Sequence, residues 1–222
     1  MNDQFIEFLA KNEAIRFGEF VLKSGRVSPY FIDMGKLSNG SQCSQLGKFY
    51  ASLIKEKFGD NFDVVFGPAY KAIPIAISSV VALNDSYGMN KNWLYDRKEM
   101  KMHGADAKNV FVGSQSIDMA PRVVIVDDVM TTGFTKVEAI EKLKKSLNAD
   151  VAGIVIAVDR MERGTKKNAL EEFEEKTGVP VYAIENIKNI FNYLKETEID
   201  GKKHISEKTL ELYEKYMGKY GI

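Results

Sequence analysis

The sequence predicts an α/β protein whose mainly parallel central sheet is flanked by helices on both faces. Short apolar, β-branched runs at 63–66, 122–126, 151–158 and 179–184 alternate with helical apolar spacing at 72–83, 136–147 and 166–176. Such alternation calls for crossover connections, and strands that are apolar throughout are covered on both sides. A chain of 222 residues is long enough for one sizeable core, so 1–222 is expected to be a single domain with elaborations.

In chain order, Phe5, Ile6, Phe8 and Leu9 recur on one face of an N-terminal helix. Gly18, Gly25 and Pro29 then punctuate a run of Phe, Val and Tyr that reads as a hairpin. Leu46, Phe49, Tyr50, Leu53, Ile54 and Phe58 fall at three- and four-residue spacing, which predicts an amphipathic helix over 41–58, ended by Gly59. The strand at 63–66 runs into a Gly67-Pro68 turn. Residues 97–108 carry four basic residues and His103 without core periodicity, which predicts a mobile cationic binding loop. The strand at 122–126 ends in Asp127 and Asp128. After the last strand come two helical stretches, whose Tyr193, Tyr213, Tyr216 and Tyr220 read, with Tyr182, as packing or interface residues. His204 reads as exposed.

Composition excludes several classes of function. Basic and acidic residues both number 31, which argues against a general electrostatic grip on nucleic acid or an anionic membrane. The longest nearly apolar stretch, 72–83, is interrupted by Pro74, Ser78 and Ser79 and falls short of the roughly 20 residues of a membrane span. The N-terminal residues lack the pattern of a secretory signal, and the single Cys43 fits a partly buried helix position in a reducing compartment. A cytoplasmic location is expected.

The sharpest chemical signal spans 123–135, VVIVDDVMTTGFT. A buried strand delivers two adjacent carboxylates to its C-terminal end, where open α/β sheets bind ligands. The turn that follows opens a helix, so its backbone N–H groups and the positive helix end suit an anion, with Thr131, Thr132 and Thr135 adding hydroxyls. Carboxylates beside a phosphate cradle can accept from ribose hydroxyls or help hold Mg²⁺. Together these features suggest a sugar phosphate.

This segment resembles the phosphoribosyl pyrophosphate (PRPP) signature of type I phosphoribosyltransferases, with Phe134 at the family's variable position. The stretches VLKSGRVSPYF (21–31), FGPAYKAIP (66–74), RKE (97–99) with Lys101, His103 and Gly104, and DRMERG (159–164) are similar, in order, to those of the orotate phosphoribosyltransferase branch. The resemblance covers about 17–164. It implies the type I phosphoribosyltransferase fold, with an N-terminal helix-hairpin hood over about 1–40.

It further implies transfer of the 5-phosphoribosyl group from PRPP to N1 of orotate, giving orotidine 5′-monophosphate and pyrophosphate in pyrimidine synthesis. PRPP would contact Lys23, Tyr70, Lys71, Arg97, Lys98, Lys101, His103, Asp127, Asp128 and the run Val129, Met130, Thr131, Thr132, Gly133, Phe134 and Thr135. Asp127 and Asp128 would address the ribose hydroxyls, and Lys101 and His103 the leaving pyrophosphate. Orotate would meet Lys23, Phe31, Ile32, Thr131 and Arg160, with the Phe31 ring as a flat wall and the Arg160 guanidinium on the carboxylate. Mg²⁺ is expected to enter mainly through PRPP, near Asp127 and Asp128, without dedicated protein ligands. The family's arrangement implies a homodimer whose loops reach the neighbouring active site. The two rivals are a phosphoribosyltransferase for another base, against which Lys23, Phe31 and Arg160 argue, and a PRPP-binding regulator without turnover.

Overall fold

The computed structural model describes residues 1–22, 25–98, 110–113, 117, 120–130, 133–165 and 167–222. The hood comprises α1 (Asp3–Lys11) and an antiparallel hairpin, β1 (Ile15–Val21) with β2 (Val27–Ile32). Then follow α2 (Gly40–Phe58), β3 (Val64–Phe66), α3 (Ala72–Tyr87), β4 (Asn92–Asp96), β5 (Phe111–Val112), β6 (Arg122–Val129) and α4 (Phe134–Leu147). The chain continues through β7 (Asp150–Asp159), α5 (Ala169–Thr177), β8 (Val181–Asn186), α6 (Ile187–Glu196) and α7 (Glu207–Tyr220).

The main sheet has the order β5-β4-β3-β6-β7-β8, parallel throughout except for β5. Successive strand residues point to opposite faces. Val124, Val126, Val155 and Ala157 therefore join the core on the face that also holds α2, α3 and the hood, whereas Val123, Ile125, Ile154 and Ile156 pack against α4 and α5. Small residues set the spacing of the layers. A Cβ on Gly47 of α2 would lie 2.3 Å from the Ser78 carbonyl of α3, so this helix pair packs backbone against backbone.

The structure adds one ladder and changes one expectation. Residues 92–96 pair with β3 and with 111–112, closing the base of the cationic segment with a short antiparallel ladder absent from the sequence reading. The 92–96 run alternates half-buried Trp93 and Tyr95 with buried Leu94, too short a pattern to separate from a loop approach. His204 is half-buried rather than exposed, and burial with Lys202 nearby lowers its pKa. Cys43 is a half-buried residue of α2. Among the described residues no helix is long and apolar enough to cross a membrane.

Candidate active site

The C-terminal ends of β4, β3 and β6 lie side by side, because β3 pairs in parallel with both neighbours. That order puts the base of the 97–110 segment, the 67–71 turn and the 127–135 segment along one edge of the sheet.

At the end of β6 the pleat separates the two acids. Asp127 continues the Val123–Ile125 side, toward α4, where buried Lys136 donates to its Oδ2 and also, at 3.0 Å, to the Val129 carbonyl. The other Asp127 oxygen accepts from the Asp128 amide at 2.9 Å, and the buried Tyr50 hydroxyl donates to the Asp127 carbonyl at 2.7 Å. Asp128 faces the opposite side, near Lys71 and Tyr50. Burial, and then the charge of Asp127, push its carboxyl up to about 6 against the pull of the Val129 amide, Lys136 and Lys71. The acids expected to act as a pair thus have unequal surroundings.

α4 opens at Gly133, which has φ of +71° and a ring against it: a Cβ there would lie 2.6 Å from Phe173 Cδ2. Only glycine fits both the dihedral and the space. The first-turn N–H groups of a helix lack intrahelical acceptors, so this end is suited to an anion. Phe134 is 65% exposed and Thr135 is exposed, while Met130 is buried and Val129 half-buried beneath them. Thr131 and Thr132 lie outside the described residues.

In the 67–71 turn, a Cβ on Gly67 would come 2.2 Å from the Ala72 carbonyl, so the chain doubles back there only with glycine. The Ala69–Tyr70 peptide is cis. The Ala69 amide donates to Asp96 Oδ1 at 2.8 Å, Lys71 Nζ reaches Asp33 of the hood at 3.3 Å, and Lys98 Nζ lies 4.8 Å above the exposed Tyr70 ring. The Arg97 amide bonds the Val110 carbonyl, while Arg97 Nε is buried and has no partner among the described residues. Tyr70 and Lys98 are thus in contact, with Lys71 and Arg97 next to them in the chain; Lys101 and His103 lie outside the described residues.

On the hood side, Arg160 is 5% exposed. Its Nε and Nη2 engage Glu162 at 2.8 and 2.7 Å, Nη2 lies 3.5 Å from both Ser28 and Tyr216 hydroxyls, and the guanidinium stacks 4.6 Å over Tyr30. Tyr216 donates to Glu162 at 2.8 Å. Ser28, Tyr30 and Ile32 share the core-facing side of β2, and the Ile32 side chain is in the core. Phe31, paired with Arg16 on β1, points to the other side, 5.6 Å from both Phe20 and the Arg16 guanidinium. The structure therefore does not bring the Phe31 ring and Arg160, expected to frame one base, to a common face. Lys23 lies outside the described residues.

Sequence reasoning passed over Lys136, Tyr50, Asp96 and Tyr216. The lysine falls in a helix where lysines are usually solvated, Asp96 ends a strand too short to show a period, and the two tyrosines reach the site from distant segments. The described residues hold no cluster of three or more metal-ligating side chains.

A phosphoribosyl transferase domain model matches residues 35–182. The orotate phosphoribosyltransferase of Clostridium acetobutylicum is 41% identical over 99% of this chain and 97% of its own length. That of Bifidobacterium adolescentis is 40% identical over 100% and 98%. The crystal structure of the Francisella tularensis orotate phosphoribosyltransferase, 36% identical, superposes with a TM-score of 0.79 over 99% of this chain and 100% of that one.

Proposed function

Because the chain belongs to the orotate phosphoribosyltransferase family, we propose that the sheet edge formed by β4, β3 and β6 binds PRPP and passes its 5-phosphoribosyl group to N1 of orotate. The observation that carries this assignment is the adjacency of three ligand-binding features on neighbouring strand ends: the glycine-capped helix α4, the Asp127–Asp128 pair and the cationic 67–71 turn with Arg97 and Lys98. The α4 end takes the 5′-phosphate, with Thr131, Thr132 and Thr135 adding donors. Tyr70, Lys71, Arg97 and Lys98 take the pyrophosphate, with Lys23, Lys101 and His103 completing the grip.

Asp128, whose carboxylate is not held by a lysine, accepts from the ribose hydroxyls, and Asp127 is the acid that Lys136 holds beside it. Arg160 offers Nη1 to the orotate carboxylate, since its other nitrogens are engaged. The base lies toward Ile32 and Thr131, and Phe31 stiffens the hairpin that covers it. As pyrophosphate leaves, negative charge grows on it and positive charge on the ribose, so cations fixed before the reaction stabilise the transition state more than the ground state. Asp127 and Asp128 would lie near a Mg²⁺ ion brought in with PRPP, which would supply counter-charge for the departing diphosphate.

We further infer a cytoplasmic homodimer with sites shared between subunits, supported by the apolar Ile77 and Val81 exposed along α3. The test is loss of orotate ultraviolet absorbance when PRPP and Mg²⁺ are added to the pure protein. No loss at any enzyme concentration would overturn the assignment.

A further inference from the structure

Asp96 closes β4 at the point where the 67–71 turn, the base of the 97–110 segment and α4 converge. Its Oδ1 accepts from the Ala69 amide at 2.8 Å. Its Oδ2 accepts from Lys142 of α4, also at 2.8 Å. The same ammonium donates to the Arg97 carbonyl at 3.2 Å and lies 5.6 Å from the Phe111 ring centroid. One carboxylate and one ammonium thus tie three segments together, beside the backbone pairs of the Gly67 amide with the Leu94 carbonyl and of the Arg97 amide with the Val110 carbonyl and the Lys98 ammonium over the Tyr70 ring.

We propose that Asp96 and Lys142 are positioning residues for pyrophosphate, holding the 67–71 turn and the first residues of the cationic segment in the relative placement that lets Lys71, Arg97 and Lys98 act on one leaving group. Neither touches the ligand. Asp96 fixes the turn through the Ala69 amide, one residue from Tyr70 and two from Lys71. Lys142 fixes the opposite side through the Arg97 carbonyl. Both side chains are only partly exposed, 29% for Lys142 and 20% for Asp96, so the contact is better shielded than a fully solvated surface pair. A second role follows from the helix that carries Lys142. α4 begins at the 5′-phosphate cradle, and nine residues of helical rise separate Gly133 from Lys142, about 13.5 Å. The clamp therefore ties the pyrophosphate grip to the same rigid rod that presents the 5′-phosphate site, and sets the distance between the two ends of PRPP.

The inference rests on the assignment of the turn to pyrophosphate, so the experiment includes Lys71→Ala as a control for that premise. Steady-state constants for both substrates, inhibition by pyrophosphate and thermal melts are measured for the wild type, Asp96→Ala, Asp96→Asn, Lys142→Met and Lys71→Ala. Asp96→Ala is expected to raise the PRPP KM and the pyrophosphate inhibition constant together, by about five- to tenfold, the scale of the net contribution of one ordinary hydrogen bond. The orotate KM should stay within about twofold, since Arg160 lies beyond the clamp. Asp96→Asn keeps an acceptor for the Ala69 amide and should recover most of the PRPP affinity. Lys142→Met should act in the same direction as Asp96→Ala, more weakly. If Asp96→Ala does not fold, the asparagine and Lys142 variants carry the same comparison.

A rise of the orotate KM equal to that of PRPP, or an asparagine variant as impaired as the alanine, would reduce Asp96 to a structural residue and overturn the proposal. A Lys71→Ala effect on PRPP without one in Asp96→Ala overturns the clamp alone. A Lys71→Ala variant with unchanged PRPP KM overturns the grip, and the clamp with it.

Discussion

Lys136 in the first turn of α4 is buried against Asp127 near the end of β6, and its ammonium spans the Asp127 carboxylate and the Val129 carbonyl. A cation in the first turn opposes the helix dipole, and a buried ammonium is costly without a counter-charge. Asp127 meets both demands. The price is that this carboxylate is largely occupied, which leaves Asp128 as the acid with freedom to meet a ligand.

Lys136→Met should therefore destabilise the protein by about 3 kcal/mol, because it strands a buried carboxylate. Denaturant unfolding measures the loss. Adding Asp127→Asn to the same chain should restore much of it; a double variant as unstable as the sum of the singles would mean that the pair is not coupled.

Asp128 makes a prediction with a definite sign. Its folded-state pKa is raised to about 6, so the folded protein binds a proton that the unfolded chain has released, and stability from this group falls as pH rises from about 4 through 6. Asp128→Asn should raise the melting temperature of the ligand-free protein at pH 7 to 8 and leave it unchanged near pH 4. Activity should move the other way: the ribose needs a carboxylate acceptor, so kcat/KM for PRPP should decline below about pH 6. A melting difference independent of pH would refute the buried-carboxylate picture.

Arg160→Lys should raise the orotate KM at least about tenfold while changing the PRPP KM little, since one ammonium cannot hold Glu162 as Nε and Nη2 do and still offer a donor to the carboxylate as Nη1 does. Equal effects on both substrates would move Arg160 out of the base site and leave it as the partner of Glu162.

If the cationic loop serves the neighbouring subunit, mixing inactive Lys101→Ala and Asp128→Asn chains should restore activity. With random exchange about half the dimers are hybrids with one intact composite site, so roughly a quarter of wild-type sites should return. No recovery in hybrids shown to form by mass spectrometry would place each loop over its own site.

Much of this molecule was readable before the fold. The β6 motif announces itself because hydroxyls, glycine and two acids directly after a fully apolar strand serve no packing need, and the β–α alternation follows from periodicity alone. What escaped was decided by through-space partners. Nothing local to Lys136 distinguishes it from the solvated lysines of α4, since its burial depends on how α4 folds back onto Asp127 of the preceding strand. The opposite faces of Tyr30 and Phe31 were implicit in strand parity, but which face turns toward Arg160 depends on how the hairpin docks. Asp96 drew no reading because five residues of β4 are too few to display a period.

The clasp around Arg160 also bears on the order in which the protein matures during synthesis. The side chains that handle phosphate have all been made once residue 147 is reached. The partners of the Arg160–Glu162 turn arrive much later: Tyr216 bonds Glu162, the Tyr220 carbonyl accepts from the Arg163 amide, and the Gly221 carbonyl accepts from Arg163 Nη2. A domain generally folds as a unit, so the base half cannot close until residues 216–221 have been made, and a truncation before residue 216 would strip Glu162 of its Tyr216 donor and Arg163 of both of its carbonyl acceptors.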